Sequence, residues 1–258
     1  YVVGECGCKL DDGDNPTMGA VSIASANTTS VTLNVEGTDP SSTVSSFVVV
    51  EKGGNVANGA TYYATNRKIT IAGLASCQTY QWDIYAKDAS CNTSENKKSI
   101  TVTTAAENYA LNKTASFVYD KNEGYKGAQV VDGNLTTRGG TQVAGLTDLP
   151  QVLKNSVFTV DLGEVKIFNE IDIYWERAAS TDYELQASID NTSWSTIARY
   201  TSTPKWVIYT EFPKQGEDNM IYRFDNMPAR YLRVVPHTLS VADAWGMSIW
   251  EFEVYGEC

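Results

Sequence analysis

The side chains in this sequence that could do chemistry are aromatic rings, carboxylates and guanidinium groups in turn-rich stretches. Nucleophile–base pairs are scarce. One histidine, His237, occurs in 258 residues, which removes most Ser-His and Cys-His schemes and most His-rich metal centres. It closes the apolar run Val234-Val235-Pro236 and reads as a surface or strand-end residue. A ring set beside amides and charged groups suits a sugar, whose C–H face stacks while its hydroxyls take hydrogen bonds. Candidate rings are Tyr125, Trp206 in Pro204-Lys205-Trp206, and Trp245 in Ala242-Asp243-Ala244-Trp245-Gly246. Candidate polar partners are Gln142, Glu176, Arg177 and Asp243. Glu176 and Arg177 directly follow the strand-like run 171–175, and their plain alternative is a surface ion pair with each other. Trp245 is open between loop packing and ligand contact. Trp175, Trp194 and Trp250 sit inside strand patterns and are expected in a core.

Composition narrows the partners. The chain carries 20 Lys and Arg against 31 Asp and Glu, a net charge of −11. It has no basic cluster to release counterions from a nucleic acid or to meet an anionic membrane. A neutral ligand is the natural expectation. No apolar run reaches the roughly 18 residues of a transmembrane helix, and residues 1–10 lack the form of a signal peptide.

The elements that must position these residues are strands. Residues 1–14, with Asp11-Asp12-Gly13-Asp14, read as linker. Residues 15–104 alternate apolar and polar positions in short runs such as Ser30–Val35, Phe47–Val50, Lys68–Ile71 and Ser99–Val102, each bounded by turn residues. Residues 105–258 repeat that style with about eight candidate strands and longer loops. The expected fold is all-β, two sandwiches in series.

Two resemblances sharpen this. In 15–104, Gly73-Leu74, the stretch Tyr80-Gln81-Trp82-Asp83-Ile84-Tyr85-Ala86-Lys87-Asp88, and then Asn92 and Ser94 resemble a fibronectin type III domain of bacterial extracellular proteins. The resemblance implies an immunoglobulin-like sandwich, a tyrosine corner at Tyr80, and a spacer role. From residue 108 six motifs follow in order: 108–115, 130–138, 158–163 with 171–173, 183–194, 229–234 and 250–256. Together they resemble a discoidin (factor V/VIII C-type) domain of the kind grouped as carbohydrate-binding module family 32. That implies a jelly-roll-like sandwich with adjacent termini and a glycan site on loops at one end, where relatives often use an Arg near the position of Arg177. This sequence departs from the family pattern at Gly139-Gly140, where a Trp is common, and in the long segment 201–220.

The same resemblance implies a structural Ca²⁺. Asp132 and Glu251 would supply carboxylates, Val130, Asn134 and Trp250 carbonyls, and Thr137 a hydroxyl. Ca²⁺ takes six to eight such oxygens. The alternative is an empty Asx turn at Asp132.

Five cysteines suggest disulfides with one thiol left over. Cys77 and Cys91 are separated by a strand spanning roughly 25 Å, too far for a bridge needing Cα atoms within about 7 Å. With the family's termini adjacent, Cys258 pairs with Cys77, leaving Cys91 for Cys8 or Cys6. The opening Val3-Gly4-Glu5-Cys6 echoes the closing Tyr255-Gly256-Glu257-Cys258, as if a similar module preceded; Cys6 is then the orphan and Cys8 the partner of Cys91.

The functional expectation is non-catalytic carbohydrate binding by the second module of a larger secreted or cell-surface protein, bacterial in style. The alternatives are an adhesion or scaffold module for a protein or lipid, and a glycosidase using pairs among Glu123, Glu176 and Asp243.

Overall fold

Alternation in β2 (Ser30–Thr38) buries Val31, Leu33 and Val35 and turns the residues between them outward, as a strand with one wet face requires. The computed structural model describes residues 13–44, 46–121, 124–141, 148–201, 212–214, 219–240 and 246–258. It divides into two units, one running to Glu107 and including Cys258, the other spanning Asn108–Glu257.

In the first unit, β1 (Thr17–Ala26), β2 and β5 (Lys68–Ala72) form one antiparallel sheet. β3 (Ser46–Glu51), β4 (Ala60–Tyr63), β6 (Thr79–Lys87) and β7 (Lys98–Thr103) form a second, in the order β4-β3-β6-β7. Both sheets contribute to one core, with Leu33 and Ile69 from the first and Phe47, Trp82 and Ile84 from the second. The Tyr80 hydroxyl accepts a hydrogen bond from the Ala75 amide five residues upstream, at 2.8 Å. Asp14, read from sequence as linker, is instead tied to this unit, its carbonyl taking a bond from Asn92 at 3.0 Å. Cys77 and Cys258 are disulfide-bonded, with Cα atoms 4.7 Å apart. Cys91 is also in a disulfide; Cys6 and Cys8 lie outside the described residues.

The second unit comprises β8 (Thr114–Phe117), β9 (Gly139–Gly140), β10 (Phe158–Trp175), β11 (Ser180–Ser188), β12 (Ser195–Tyr200), β13 (Met220–Leu239) and β14 (Ser248–Tyr255). The described strands number seven rather than eight, and residues 149–155 form a short helix, α1 (Leu149–Asn155), not anticipated from the sequence. Pro150 in its first turn needs no donor there, and Val152 is buried. The strand order is β12-β11-β13-β10-β14-β9, with β8 on β10. β10 pairs through Phe158–Asp161 with β8 and through Glu170–Trp175 with β14, while β13 flanks both halves across two register shifts. Such shifts bend and twist strands and wrap the sheet around a core of Phe117, Phe158, Phe252, Trp175 and Tyr183.

Several motif residues have structural duties. Asn108 Oδ1 accepts the amides of Ala110 and Val254, and Tyr109 N–H donates to the Val254 carbonyl, so the first residues of the unit are stitched to its last strand. Arg230 grips Asp161 through two parallel bonds of 2.8 and 2.9 Å between β13 and β10. No helix among the described residues is long and apolar enough to cross a membrane.

Candidate functional site

At one end of the second unit the chain is repeatedly tied to Ser248, at the start of β14. Its amide donates to the Ala178 carbonyl, its carbonyl accepts from the Glu176 amide, and its hydroxyl donates to the Gly139 carbonyl at 2.8 Å. Next to it, Gly140 donates to the Tyr125 carbonyl and accepts from the Lys121 amide. Three loops are thereby held together around an open cavity of about 350 Å³, within the range of small-ligand sites. It is lined by Lys121, Tyr125, Arg138, Thr141, Glu176, Arg177 and residues 246–248, among others.

The charged groups are held in place. Glu176 Oε1 pairs with the Arg138 guanidinium at 2.5 Å, and Oε2 accepts the Ala178 amide at 2.8 Å. The guanidinium of Arg138 also lies 5.2 Å from the Tyr125 ring centre and 5.3 Å from that of Trp250, and Lys121 Nζ lies 4.8 Å from Tyr125. Such placements are attractive because the ring face is electronegative. Arg177 is exposed and its carbonyl is anchored by the Ser240 hydroxyl at 2.8 Å; among the described residues its guanidinium has no carboxylate partner. Thr141 is 4 % exposed, and its hydroxyl has no partner among the described residues.

Of the residues expected here, the structure brings Tyr125, Glu176 and Arg177 together. Gln142, Trp206, Asp243 and Trp245 lie outside the described residues. The ion pair considered from sequence, Glu176 with Arg177, is replaced by Glu176 with Arg138. Arg138, Lys121 and Thr141 were not singled out. Arg138 ends the Thr136-Thr137-Arg138 motif, a usable signal; nothing local marks Lys121 or Thr141.

Two tryptophans expected in the core are elsewhere. Tyr174 pairs with Glu251 and Trp175 with Ile249, so Trp250 is the extra residue of a bulge on β14. The bulge removes it from the inward alternation that buries Phe252 and Val254. Its half-buried ring meets Arg138 on one side and the edge of exposed Phe212 on another. Trp194 precedes β12 and is half-buried, stacked with the Arg233 guanidinium at 4.0 Å. Trp175 is fully buried. His237 is a surface residue near the end of β13, 3.2 Å from Glu184.

Gly139 explains the departure from the family pattern. A Cβ there would stand 2.4 Å from Val130 Cγ2 and 2.7 Å from the Lys126 carbonyl, so no side chain fits beneath the rim.

The second constellation joins the 130–138 turn to β14. Asp132 Oδ1 accepts the Asn134 amide and Oδ2 the Thr137 hydroxyl, the Asx turn weighed from sequence. Glu251 is 0 % exposed, its Oε1 accepts the Gly133 amide at 2.9 Å, and its Oε2 has no partner among the described residues. Burial chiefly, with Asp132 and Glu253 adding, pushes its carboxyl up to about 9. An orphaned buried oxygen facing a second carboxylate is what a hard cation would relieve. Among the described residues no three His, Cys, Asp or Glu side chains converge on a metal, so an ion here would draw most oxygens from backbone carbonyls and Thr137.

Three solved structures are similar to part of this chain. Chitosan-binding module 1 of the chitosanase/glucanase from Paenibacillus sp. IK-5 is 28 % identical, covering 58 % of this chain and 99 % of that one, with a TM-score of 0.46. Module 2 of the same enzyme, in complex with chitotriose, is 28 % identical over 58 % of this chain and 100 % of that one, TM-score 0.45. A family 32 CBM from C. perfringens NanJ, in complex with galactose, is 21 % identical over 56 % and 93 %, TM-score 0.41. No curated protein sequence matches. The profile of the F5/8 type C domain matches residues 110–252, more than half of the chain, which therefore belongs to the F5/8 type C (discoidin) family.

Proposed function

We propose that the second unit binds carbohydrate without cleaving it, at the cavity rimmed by Tyr125, Arg138, Glu176 and Arg177. The observation that carries the reading is the cavity itself: a ring, two guanidinium groups and a carboxylate converge on it from three loops tied to Ser248 and Gly140. Hydroxyl-rich ligands need such fixed donors and acceptors. Of the carboxylates that glycoside hydrolysis would pair, Glu176 is bound to Arg138, and Glu123 and Asp243 lie outside the described residues. Gln142, Trp206, Asp243 and Trp245 remain proposed contributors.

A structural Ca²⁺ would be held by Asp132 and Glu251 with Thr137 and the carbonyls of Val130, Asn134 and Trp250. It would neutralise the buried carboxylates and staple the turn beneath Arg138 to β14. We read the first unit as a fibronectin type III-like spacer, supported by its three- and four-stranded sheets and the Tyr80–Ala75 bond. The parent protein is read as secreted or cell-surface, bacterial and multi-modular.

The test is a glycan array and calorimetry on wild type, Tyr125→Ala and Arg177→Ala, with reducing-sugar release followed in parallel. Saturable binding weakened by both substitutions supports the reading. Binding of a protein or lipid with no glycan bound would replace it by the adhesion reading, and released reducing sugar by the enzymatic one.

A further inference from the structure

The net charge of −11 predicts a neutral ligand, yet the described rim of the cavity is locally basic. Among the described lining residues, Lys121, Arg138 and Arg177 stand beside one carboxylate, Glu176, and Arg177 has no carboxylate partner among them. That carboxylate is spent on Arg138 and the Ala178 amide. Lys121 and Arg138 are gathered over the Tyr125 ring, while Arg177 has its backbone fixed by the Ser240 hydroxyl and its side chain exposed. Tyr125 therefore works as a holder of cations as much as a plate for a sugar face. A second, independent feature is the Thr141 hydroxyl, buried at the cavity lining with no partner among the described residues. A buried donor left unmade costs free energy and asks for an acceptor from a ligand.

Building on the carbohydrate reading, we propose that this cavity selects an acidic sugar, one bearing a carboxylate or a sulfate ester, with Arg177 as the principal contact. A guanidinium matches either group with two parallel charge-assisted bonds, and the Thr141 hydroxyl can donate to a further oxygen. The acidic remainder of the protein does not prevent this. At physiological salt, charges more than about 8 Å away are largely screened, whereas a contact inside the cavity is not.

The experiment is calorimetry on the whole chain with matched pairs: oligogalacturonate and its methyl ester, sialyllactose and lactose, a sulfated agaro-oligosaccharide and its desulfated form. At least one acidic member is expected to bind about tenfold or more tightly than its neutral counterpart, about 1.4 kcal/mol. Arg177→Gln should weaken the acidic member far more than the neutral one, erasing the advantage, while leaving the melting temperature unchanged. Which pair responds separates carboxylate from sulfate. If the neutral members bind as well in every pair, or Arg177→Gln leaves the preference intact, the proposal falls while carbohydrate binding stands. If nothing binds, both fall.

Discussion

Asp172 is the sharpest test of how this sheet tolerates buried charge. It lies on β10 opposite Glu253 of β14, 6 % exposed. Oδ2 accepts from Asn219 at 2.6 Å, and Oδ1 has no partner among the described residues. Burial first, then Glu170 and Glu253, raise its carboxyl from 3.8 to about 7, against lowering contributions from Asn219 and Arg223. Between pH 4 and 7 the folded protein thus holds a proton that the unfolded chain has released. Stability must fall as pH rises through that window, and stay level in this contribution above 7. A rise of roughly 3 units at 1.36 kcal/mol each corresponds to about 4 kcal/mol. Asp172→Asn keeps the shape and an acceptor for Asn219, and removes the charge. It should leave the melting temperature nearly unchanged at pH 4 and raise it on the order of 10 °C at pH 8, for a domain of about 150 residues. The assay is calorimetric melting of wild type and variant across pH 4–8. A difference between them that does not grow with pH, or a loss of stability at pH 8, would refute the reasoning.

Chelation by EDTA should lower the melting temperature of the second unit by roughly 5–10 °C relative to Ca²⁺ at about 100 times its Kd, the equivalent of about 2.7 kcal/mol. Glu251→Gln should abolish that response, read by differential scanning fluorimetry. Gly139→Ala places a methyl group against Val130 and the Lys126 carbonyl and should cost about 1–3 kcal/mol, measured by urea unfolding. Because Arg138 is the preceding residue, glycan binding should weaken as well. Tyr80→Phe strips the acceptor from the Ala75 amide and should destabilise the first unit by about 1 kcal/mol, with the ring packing on Trp82 retained.

Much of this protein could be read in one dimension. Alternation along 30–35, 47–50, 68–71 and 99–102 marks strands because a half-buried sheet has a period of two, and all four runs fall within β2, β3, β5 and β7. The Asp132–Thr137 turn was legible because its bonds span at most five residues, as was Tyr80, whose partner is five residues away. Arg177 and Glu176 were legible as residues leaving a strand end.

What the sequence by itself determined was therefore the strand class, the turn chemistry and the family to which its ordered motifs belong. Only the tertiary structure decided who faces whom. A one-residue bulge on β14 turned Trp250 out of the core to a half-buried place against Arg138, and no local pattern announces a bulge because it depends on the pairing with β10. Glu176 found Arg138, 38 residues before it, instead of its neighbour Arg177. Adjacent residues in extended chain point apart, whereas two loops tied to the same serine bring distant ones together. The same folding left Glu251 buried beside Asp132 and gathered cations at the mouth of an otherwise acidic protein, because local charge is set by loop convergence and net charge only by composition.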